Sequence, residues 1–436
     1  SLLINNNYNH IINTETGKWF GFYFATKNSS LVINNVNKRQ LSKLFSKYYK
    51  YKQVIELFDE IAMPIETKNN LLTKLNYLVL HTTDACNMKC KYCYAKDNIN
   101  DSNPNVMSSS TMIDSINKFF SDDDFFVLFH GREPLTNYHN ILKTIKHFKD
   151  NNKIHFIVQT NGMLLNESII KTLSTYNVQI NISFDGFDDF SNDLRINGYT
   201  KDYTFKITNL LQKYQDIEPI LILHKNNINS IDAISKKLKA QEHDFVAYNF
   251  LWPTIENKEL NKYIVDNELL YNKLVEVFEN SIANDGANSY FAFKERDLYL
   301  LYGRIVYSHI NNYMCNKSPC GEGKICVCVN NNGDVYPCTT VNKQKENFMG
   351  NIYDNSKKEI LSSDYILKHR DINHIKDCKK CPLKIFCGGG ACSGLLYNYK
   401  KNINSKSFYC KYYYNMILYI MKKCINSVEN DIFQNK

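Results

Sequence analysis

Three cysteines on one short segment constrain this chain more than any other feature. They lie in Cys86-Asn87-Met88-Lys89-Cys90-Lys91-Tyr92-Cys93, with gaps of three and then two residues. This spacing places three thiolates on one loop, where they can hold three corners of an iron–sulfur cube. No fourth cysteine lies nearby, so one iron is left open to bind another molecule. Structural zinc takes four protein ligands and disulfides need cysteines in pairs, so both alternatives suit the segment poorly.

The residues before these cysteines predict a buried strand. Leu75-Asn76-Tyr77-Leu78-Val79-Leu80-His81 is mostly apolar, and the polar Thr82-Thr83-Asp84 follows it. A run of this kind is typical of a strand in a parallel sheet. The cysteine loop is therefore expected at the carboxyl end of a strand, where (β/α) barrels build their active sites.

The cysteine spacing, with Tyr92 directly before the last cysteine, resembles that of the radical S-adenosylmethionine (SAM) enzymes. The resemblance implies that Cys86, Cys90 and Cys93 bind a [4Fe–4S] cluster and that Tyr92 lies at the SAM site. SAM would bind the open iron through its amino and carboxylate groups. One electron would then cleave SAM to methionine and a 5′-deoxyadenosyl radical, which abstracts hydrogen from a substrate.

Between residues 75 and 256, candidate strands alternate with candidate helices. Six βα units in succession predict an α/β fold with a parallel sheet curled into a partial (β/α)6 barrel, which the resemblance also implies. The predicted strands are 75–81, 125–130, 154–159, 178–184, 219–224 and 244–250. The predicted helices are 110–120, 138–149, 166–175, 203–214 and 229–240. Residues 257–312 are predicted to form a helical connector.

Residues 1–74 are predicted to form a small α+β domain. Two strands around a turn at Gly17, a third strand at 31–33, and helices at 38–50 and 53–61 are expected. This combination resembles the winged-helix-like domains that recognise leader peptides in many peptide-modifying enzymes, where an edge strand can accept the peptide. A plain cap on the barrel is the alternative, and the sequence leaves both open.

Residues 313–436 hold eleven of the 14 cysteines. Their order resembles the SPASM domain, which carries two auxiliary [4Fe–4S] clusters in many radical SAM enzymes. The resemblance assigns Cys315, Cys320, Cys338 and Cys392 to the first auxiliary cluster, and Cys378, Cys381, Cys387 and Cys410 to the second. The step from Cys387 to Cys392 contains one residue more than the family pattern. A zinc ribbon is the alternative for the region, whose folding should depend on metal in either case.

Three cysteines of this region have no place in the SPASM pattern, namely Cys326, Cys328 and Cys424. Cys326-Val327-Cys328 predicts a strand in which both thiols lie on one face and are buried.

Further segments at the ends of predicted strands resemble the SAM-binding motifs of the family. His130-Gly131-Arg132-Glu133-Pro134 resembles the GGEP motif, with Arg132 where the family has glycine. This is a departure that bears on the local backbone path, because only glycine takes a positive φ freely. The resemblance implies that Gly131 and Glu133 lie at the SAM site and that Glu133 accepts hydrogen bonds from the SAM ammonium group.

Two later strand ends complete the expected pocket. Gln159-Thr160-Asn161-Gly162 would line it through Asn161, and Ser183-Phe184-Asp185-Gly186 resembles the SxDG segment of the family. The resemblance implies that Ser183 and Asp185 meet the ribose hydroxyls and the polar end of SAM. Arg195 would bind the SAM carboxylate as a planar fork. No catalytic base is identified from the sequence.

Composition limits the partners. The net charge of +9 is spread along the chain without a dense basic block, so no nucleic-acid partner is predicted. No apolar run is long enough to predict a membrane span, and no leading segment is typical of a signal peptide. A cytoplasmic, reducing location is therefore expected, in which clustered cysteines indicate metal rather than disulfides.

The SPASM resemblance implies a peptide or protein substrate. Our first interpretation is a maturase that installs a thioether or carbon–carbon crosslink in a ribosomally made precursor peptide with a leader. An electron donor such as flavodoxin or ferredoxin would be a second partner. The alternative is an anaerobic sulfatase maturase, but that group has an aspartate where Thr339 follows Cys338. An alternative of another class is a non-catalytic, zinc-stapled binding module.

Overall fold

The computed structural model describes residues 2–5, 8–12, 19–23, 30–33, 74–95, 104–196, 200–243, 246–254, 258–285, 296–307, 321–390 and 392–434. Within these residues, no helix combines the length and the apolar character needed to cross a membrane.

The first four strands form an antiparallel sheet of their own. They are β1 (Leu2–Asn5), β2 (Tyr8–Ile12), β3 (Trp19–Tyr23) and β4 (Ser30–Ile33), in the spatial order β3-β2-β1-β4. The pairing of β2 with β3 confirms the predicted strand pair around Gly17, and β1 has no counterpart among the predicted strands. The predicted helices at 38–50 and 53–61 lie outside the described residues, so the winged-helix-like architecture stays a prediction.

Six parallel strands form one side of the main sheet. They are β5 (Tyr77–His81), β6 (Phe125–His130), β7 (Ile154–Thr160), β8 (Gln179–Ser183), β9 (Ile217–Leu223) and β10 (Ala247–Phe250). Each strand pairs in parallel with the next one along the chain. This arrangement confirms the predicted α/β class and the order of the six strands. The strands are rich in buried apolar residues, as expected where helices cover a parallel sheet.

Helices connect these strands and confirm the predicted βα alternation. They are α1 (Ser109–Phe119), α2 (Tyr138–His147), α3 (Glu167–Thr175), the short α4 (Asp189–Asn192), α5 (Thr200–Lys213) and α6 (Ile231–Ala240). Polar side chains fix where some of them begin. Ser108 accepts from the N–H of Thr111 at the start of α1, and Asn166 accepts from that of Ile169 at the start of α3.

The described parts of the connector are helical, and the C-terminal region has mostly short elements before one long helix. These are α7 (Asn267–Asp285), α8 (Arg296–Tyr307), β11 (Cys326–Val329), β12 (Asp334–Tyr336), β13 (Gly350–Asn351), α9 (Lys357–Ser362), α10 (Lys376–Lys379), α11 (Lys384–Cys387), α12 (Ser393–Lys400) and α13 (Cys410–Gln434). Single 3₁₀ turns lie at Pro134–Asn137, Ile228–Ser230, Lys258–Tyr263, Thr339–Val341, Lys345–Asn347 and Ile366–His369. The helix α13 packs against α7 and α8 and contacts β3.

The C-terminal region extends the main sheet. β11 pairs in parallel with β5, the strand that leads into the cysteine loop, and β12 and β13 continue the sheet antiparallel. Cys326 and Cys328 are buried on β11 and pack with Val79 and Leu128, which confirms the prediction of buried strand thiols. The cysteine loop therefore emerges from a strand that is flanked by barrel on one side and C-terminal region on the other.

Candidate active site at the strand ends

The cysteine loop begins directly after β5 and is held by its neighbours. The N–H of Glu133 donates to the carbonyl of Ala85 at 3.0 Å. The N–H of Met88 lies 3.4 Å from Cys86 Sγ, and the side-chain amide of Asn161 lies 3.9 Å from the same sulfur. Contacts from the ends of β6 and β7 therefore fix the loop that carries the three thiols.

The thiols of this loop suit a metal cluster. Burial raises the pKa of the Cys86 thiol and raises that of Cys90 to about 12, and repulsion by Cys93 adds to both effects. In the metal-free chain these two thiols stay protonated at neutral pH, so a metal must displace their protons. Three thiols on one loop are the donor set that iron–sulfur clusters use. Among the described residues, no three His, Cys, Asp or Glu side chains are arranged to hold a single metal ion.

Glu133 is fully buried at the carboxyl end of β6. Its Oε1 accepts from the N–H of Leu135 at 3.1 Å and from the Thr160 hydroxyl at 2.6 Å, and its Oε2 accepts from the N–H of Asn161 at 2.7 Å. Burial raises the pKa of Glu133, and these donors oppose the rise. A carboxylate has about four acceptor positions, so one position remains for a donor group of a ligand.

Within the GGEP-like segment, glycine is required at Gly131. Gly131 has the left-handed φ of +134°, and a Cβ atom there would lie 2.7 Å from the carbonyl oxygen of Thr83. Arg132 has no positive φ and its Nη1 donates to the carbonyl of Asp84 at 3.3 Å. The arginine therefore stands at a position whose backbone conformation does not require glycine.

Asp185 and Arg195 form a buried ion pair at the end of β8. Arg195 Nη2 lies 2.9 Å from Asp185 Oδ1, and Nε lies 3.3 Å from Oδ2. The Tyr92 hydroxyl and the N–H of Ile222 also donate to this carboxylate. Burial alone would raise the pKa of Asp185, but Arg195 and then His224 hold it well below its usual range. Asp185 thus orients Arg195 and Tyr92, whose ring centroid is 5.4 Å from the guanidinium carbon.

Asn161 and Ser183 lie at the same edge of the sheet. Asn161 donates to the side-chain oxygen of Asn87 at 2.7 Å, so it joins the end of β7 to the cysteine loop. Ser183 is half-buried, and its carbonyl accepts from the Tyr203 hydroxyl at 2.5 Å. The structure thus brings Tyr92, Gly131, Glu133, Asn161, Ser183, Asp185 and Arg195 to one edge, as the strand-end argument predicts.

Tyr94 and His130 are a pair that the sequence reasoning did not identify. Tyr94 directly follows Cys93, is 43% exposed, and has its hydroxyl 3.5 Å from His130 Nδ1. Burial of that hydroxyl raises the pKa of Tyr94, and a hydrogen bond with Thr339, the residue after Cys338, opposes the rise. Burial lowers the pKa of His130 to about 4, so this imidazole is neutral at pH 7. The pair therefore lies between the cysteine loop and the C-terminal region.

Four C-terminal cysteines form a second group, which we call the C-terminal cysteine group: Cys378, Cys381, Cys387 and Cys410. Burial raises the pKa of Cys378 to about 11 and that of Cys387 to about 12, and the other thiols of the group add to both. Burial also raises the pKa values of Cys381 and Cys410. Four thiols close enough for their thiolate forms to repel one another fit the ligand set of a cluster.

The other four predicted C-terminal ligands are described only in part. Cys338 is buried, and a Cβ atom on Gly394, two residues after Cys392, would lie 3.4 Å from its sulfur. Cys338 therefore lies near the segment that carries Cys392. Cys315 and Cys320 lie outside the described residues, so the ligand set of the first auxiliary cluster stays a prediction.

Two relatives match most of the chain by sequence. A cysteine-type anaerobic sulfatase-maturating enzyme of Clostridium perfringens is 24% identical over 381 residues, covering 82% of this chain and 99% of that protein. The radical SAM cyclopropyl synthase TigE of Paramaledivibacter caminithermalis is 25% identical over 400 residues, covering 83% of this chain and 77% of that protein.

Two solved structures share the fold. Native anSMEcpe with bound AdoMet and the Cp18Cys peptide has a TM-score of 0.63 at 22% identity, covering 82% of this chain and 99% of that one. Streptococcus suis SuiB bound to the precursor peptide SuiA has a TM-score of 0.56 at 14% identity, covering 93% of this chain and 98% of that one.

Both cysteine regions coincide with known family domains. Residues 80–238, which begin within β5 and end within α6, match the Radical SAM superfamily. Residues 320–382 match SPASM, an iron–sulfur cluster-binding domain. The chain therefore belongs to the radical SAM enzymes that carry a C-terminal SPASM domain.

Proposed function

We propose that this enzyme is a peptide maturase that installs a thioether or carbon–carbon crosslink in a ribosomally made precursor peptide. The extent of the structural matches carries the proposal. Residues 75–436 are 362 of the 436 residues, so the match to peptide-bound SuiB, which covers 93% of the chain, must include part of the region before the barrel. The match to anSMEcpe covers 82% and does not require that region.

The N-terminal sheet supplies a surface for the leader of such a peptide. β4 is an outer strand of this sheet and, within the described residues, pairs with β1 alone. An extended leader segment can add to such an edge through main-chain hydrogen bonds. The opposite outer strand, β3, contacts α13, so we place the leader along β4.

SAM would be held at the strand ends by charge-assisted contacts. The remaining acceptor position of Glu133 suits the ammonium group of SAM. The ion pair with Asp185 uses two of the five N–H donors of Arg195, which leaves donors for the SAM carboxylate. Asp185 would act as a positioning residue, because its oxygens already accept from protein donors.

SAM bound at a cluster on Cys86, Cys90 and Cys93 would supply a 5′-deoxyadenosyl radical that takes a hydrogen atom from the peptide. Joining a cysteine sulfur to a carbon removes a second hydrogen, which leaves as a proton and an electron. The two C-terminal cysteine sets would hold auxiliary clusters as electron acceptors, and a flavodoxin or ferredoxin would exchange electrons with the enzyme.

Sulfatase maturation is the second candidate, because the Clostridium perfringens relative carries that name. The position after Cys338 argues against it. Thr339, which hydrogen-bonds Tyr94, stands there, and that group of enzymes has an aspartate at this position. A maturation reaction on this chain would therefore need another base.

The direct test uses the anaerobically reconstituted protein, SAM, a reductant and the precursor peptide encoded beside its gene. We expect about 12 irons per chain, since three [4Fe–4S] clusters are proposed. We also expect 5′-deoxyadenosine and the loss of two hydrogens from the peptide, with much less product when the leader is removed. Formylglycine in a sulfatase-derived peptide, without modification of the precursor, would instead establish the second candidate. Stoichiometric zinc without SAM cleavage would reject both.

A further inference from the structure

Asp84 is a buried carboxylate that joins the cysteine loop to the C-terminal region. It lies two residues before Cys86 and is 1% exposed. Lys343 Nζ lies 3.0 Å from Asp84 Oδ1 and 2.8 Å from Oδ2. Because Lys343 follows Cys338 by five residues, one ion pair connects the two segments that carry predicted cluster ligands.

Donors from both sides converge on this carboxylate. From the barrel side, His81 Nε2 lies at 3.0 Å and the Asn105 amide donates at 3.0 Å. From the C-terminal side, the Asn331 amide donates at 3.2 Å, in addition to Lys343. The Asp84 carboxylate is therefore shared by the barrel and the C-terminal region.

The segments on the two sides of the ion pair differ in how they are held. On the barrel side, the Thr82 hydroxyl donates to the carbonyl of His130 at 2.9 Å, and the Asn137 amide donates to that of Thr82 at 3.0 Å. On the C-terminal side, Lys343 has a φ of +67°, which is unfavourable for a residue with a Cβ atom. Lys343 therefore lies in a strained turn, two residues after the 3₁₀ turn Thr339–Val341.

We propose that Asp84 and Lys343 are positioning residues that hold the Cys86–Cys93 loop and the Cys338 segment at a fixed separation. Tyr94, which follows the first segment and hydrogen-bonds Thr339 in the second, lies where the two meet. A peptide bound there would face both sites at once, so the assignment rests on the proposed function. Neither Asp84 nor Lys343 needs to touch the peptide, because each acts through the loop that it anchors.

The test compares Lys343→Met with a control at another contact between the same two regions. Lys357 Nζ donates to the carbonyl of Phe119 at the end of α1, at 2.6 Å, so Lys357→Met removes such a contact away from the cysteine loop. The Lys343 side chain is 26% exposed, which allows the methionine variant to fold. Asp84→Asn is the matching variant on the other side, and Lys343→Arg keeps the charge.

Two measurements distinguish positioning from simple loss of stability. The first is the ratio of 5′-deoxyadenosine to modified peptide, which a smaller fraction of folded enzyme does not change. Displacement of the reacting groups should raise it about tenfold in Lys343→Met and in Asp84→Asn, and Lys343→Arg should restore it. The second is hydrogen exchange of residues 82–95 and 338–345, which should speed up together in both variants.

An unchanged ratio would overturn the proposal, as would faster exchange in only one of the two segments or an equal effect in Lys357→Met. The exchange measurement needs no peptide. If the wild-type enzyme modifies no peptide, the proposed function fails, while joint exchange of the two segments still decides whether Asp84 and Lys343 couple them.

Discussion

The pocket at the strand ends and the C-terminal cysteine group satisfy their polar atoms in opposite ways. In the pocket, Glu133 accepts three hydrogen bonds from protein donors, and Asp185 pairs with Arg195. In the cysteine group, burial and the neighbouring thiols raise the pKa of Cys378 and of Cys387. Protein contacts therefore hold the polar groups of the pocket in place without a ligand, whereas the cysteine group brings together thiols that only a metal can turn into a stable set of thiolates.

This difference separates two kinds of cofactor site in one chain. The barrel sheet and its caps can form the SAM pocket from protein interactions alone. The C-terminal region has short helices, such as α10 and α11, around its four thiols, so its folding should depend on the cluster. Loss of metal should therefore weaken the C-terminal region and leave the barrel intact.

The largest expected effect follows from removing one thiol of the C-terminal group. Cys381→Ala should lower the iron content by about four per chain and expose residues 376–412 to proteolysis, because the second auxiliary cluster loses one of its four protein ligands. The strands β5–β10 should stay protected. Iron analysis and limited proteolysis with mass spectrometry measure both effects. Cys424→Ala, outside the predicted ligand sets, is the control, and wild-type protection in Cys381→Ala would contradict the comparison.

The metal-free protein should also lose stability at alkaline pH. The folded-state pKa values of Cys378 and Cys387, about 11 and about 12, lie above the ordinary thiol value of 9.0. The stability that depends on protonated thiols is full below about pH 9 and is lost as the pH rises towards about 12. Thermal unfolding of metal-free protein across this range measures the loss. The reconstituted protein should not show the same decline, since its thiols are already deprotonated.

Breaking the buried pair of the pocket should have the next effect. Asp185→Asn leaves the Arg195 guanidinium without its counter-charge and should lower the free energy of unfolding of the barrel by about 3–5 kcal/mol. Asp193→Asn is the control, because its pair with Lys91 is exposed and should contribute about 0–1 kcal/mol. Urea denaturation measures both. Equal losses of unfolding free energy in the two variants would show that this ion pair does not stabilise the pocket.

A smaller effect is expected on SAM binding. The Glu133→Gln variant places an amide group where the carboxylate accepts from the N–H of Asn161 and the Thr160 hydroxyl. It also removes the negative charge that attracts the SAM ammonium group. A charge-assisted hydrogen bond contributes about 1.5–3 kcal/mol, so the Kd for SAM should rise about 10- to 100-fold. Isothermal titration of reconstituted protein measures it. The exposed Glu167→Gln should leave the Kd unchanged, and an unchanged Kd in Glu133→Gln would remove Glu133 from the SAM site.

Much of the fold could be predicted because its signals are local. The apolar run Phe125–His130 predicts a strand from its own residues, and the structure has the same bounds. The cysteine motifs can likewise be recognised from a few neighbouring positions in the sequence. The sequence did not indicate which position of the GGEP-like segment requires glycine; it is Gly131, where the backbone approaches Thr83, and not Arg132.

Contacts between distant segments could not be predicted in this way, because no local sequence pattern indicates them. The parallel pairing of β11 with β5 joins residues about 250 positions apart, and neither strand specifies its partner. The ion pair of Asp84 with Lys343 and the contact of Tyr94 with Thr339 likewise arise only after the C-terminal region docks beside β5. Charge or aromatic character at one position does not indicate which residue will face it in the folded chain.

The smallest expected effect concerns the thiols on β11. Cys326 and Cys328 are buried with Val79, Leu128 and Tyr336 in an apolar cluster. Cys328→Ala should therefore remove packing, at a cost of about 1 kcal/mol in the free energy of unfolding, and leave the iron content at the wild-type value. Iron analysis of this variant beside Cys381→Ala measures the contrast. A loss of iron in Cys328→Ala would mean that β11 supplies a cluster ligand, and the division between apolar and metal-bound thiols would have to be redrawn.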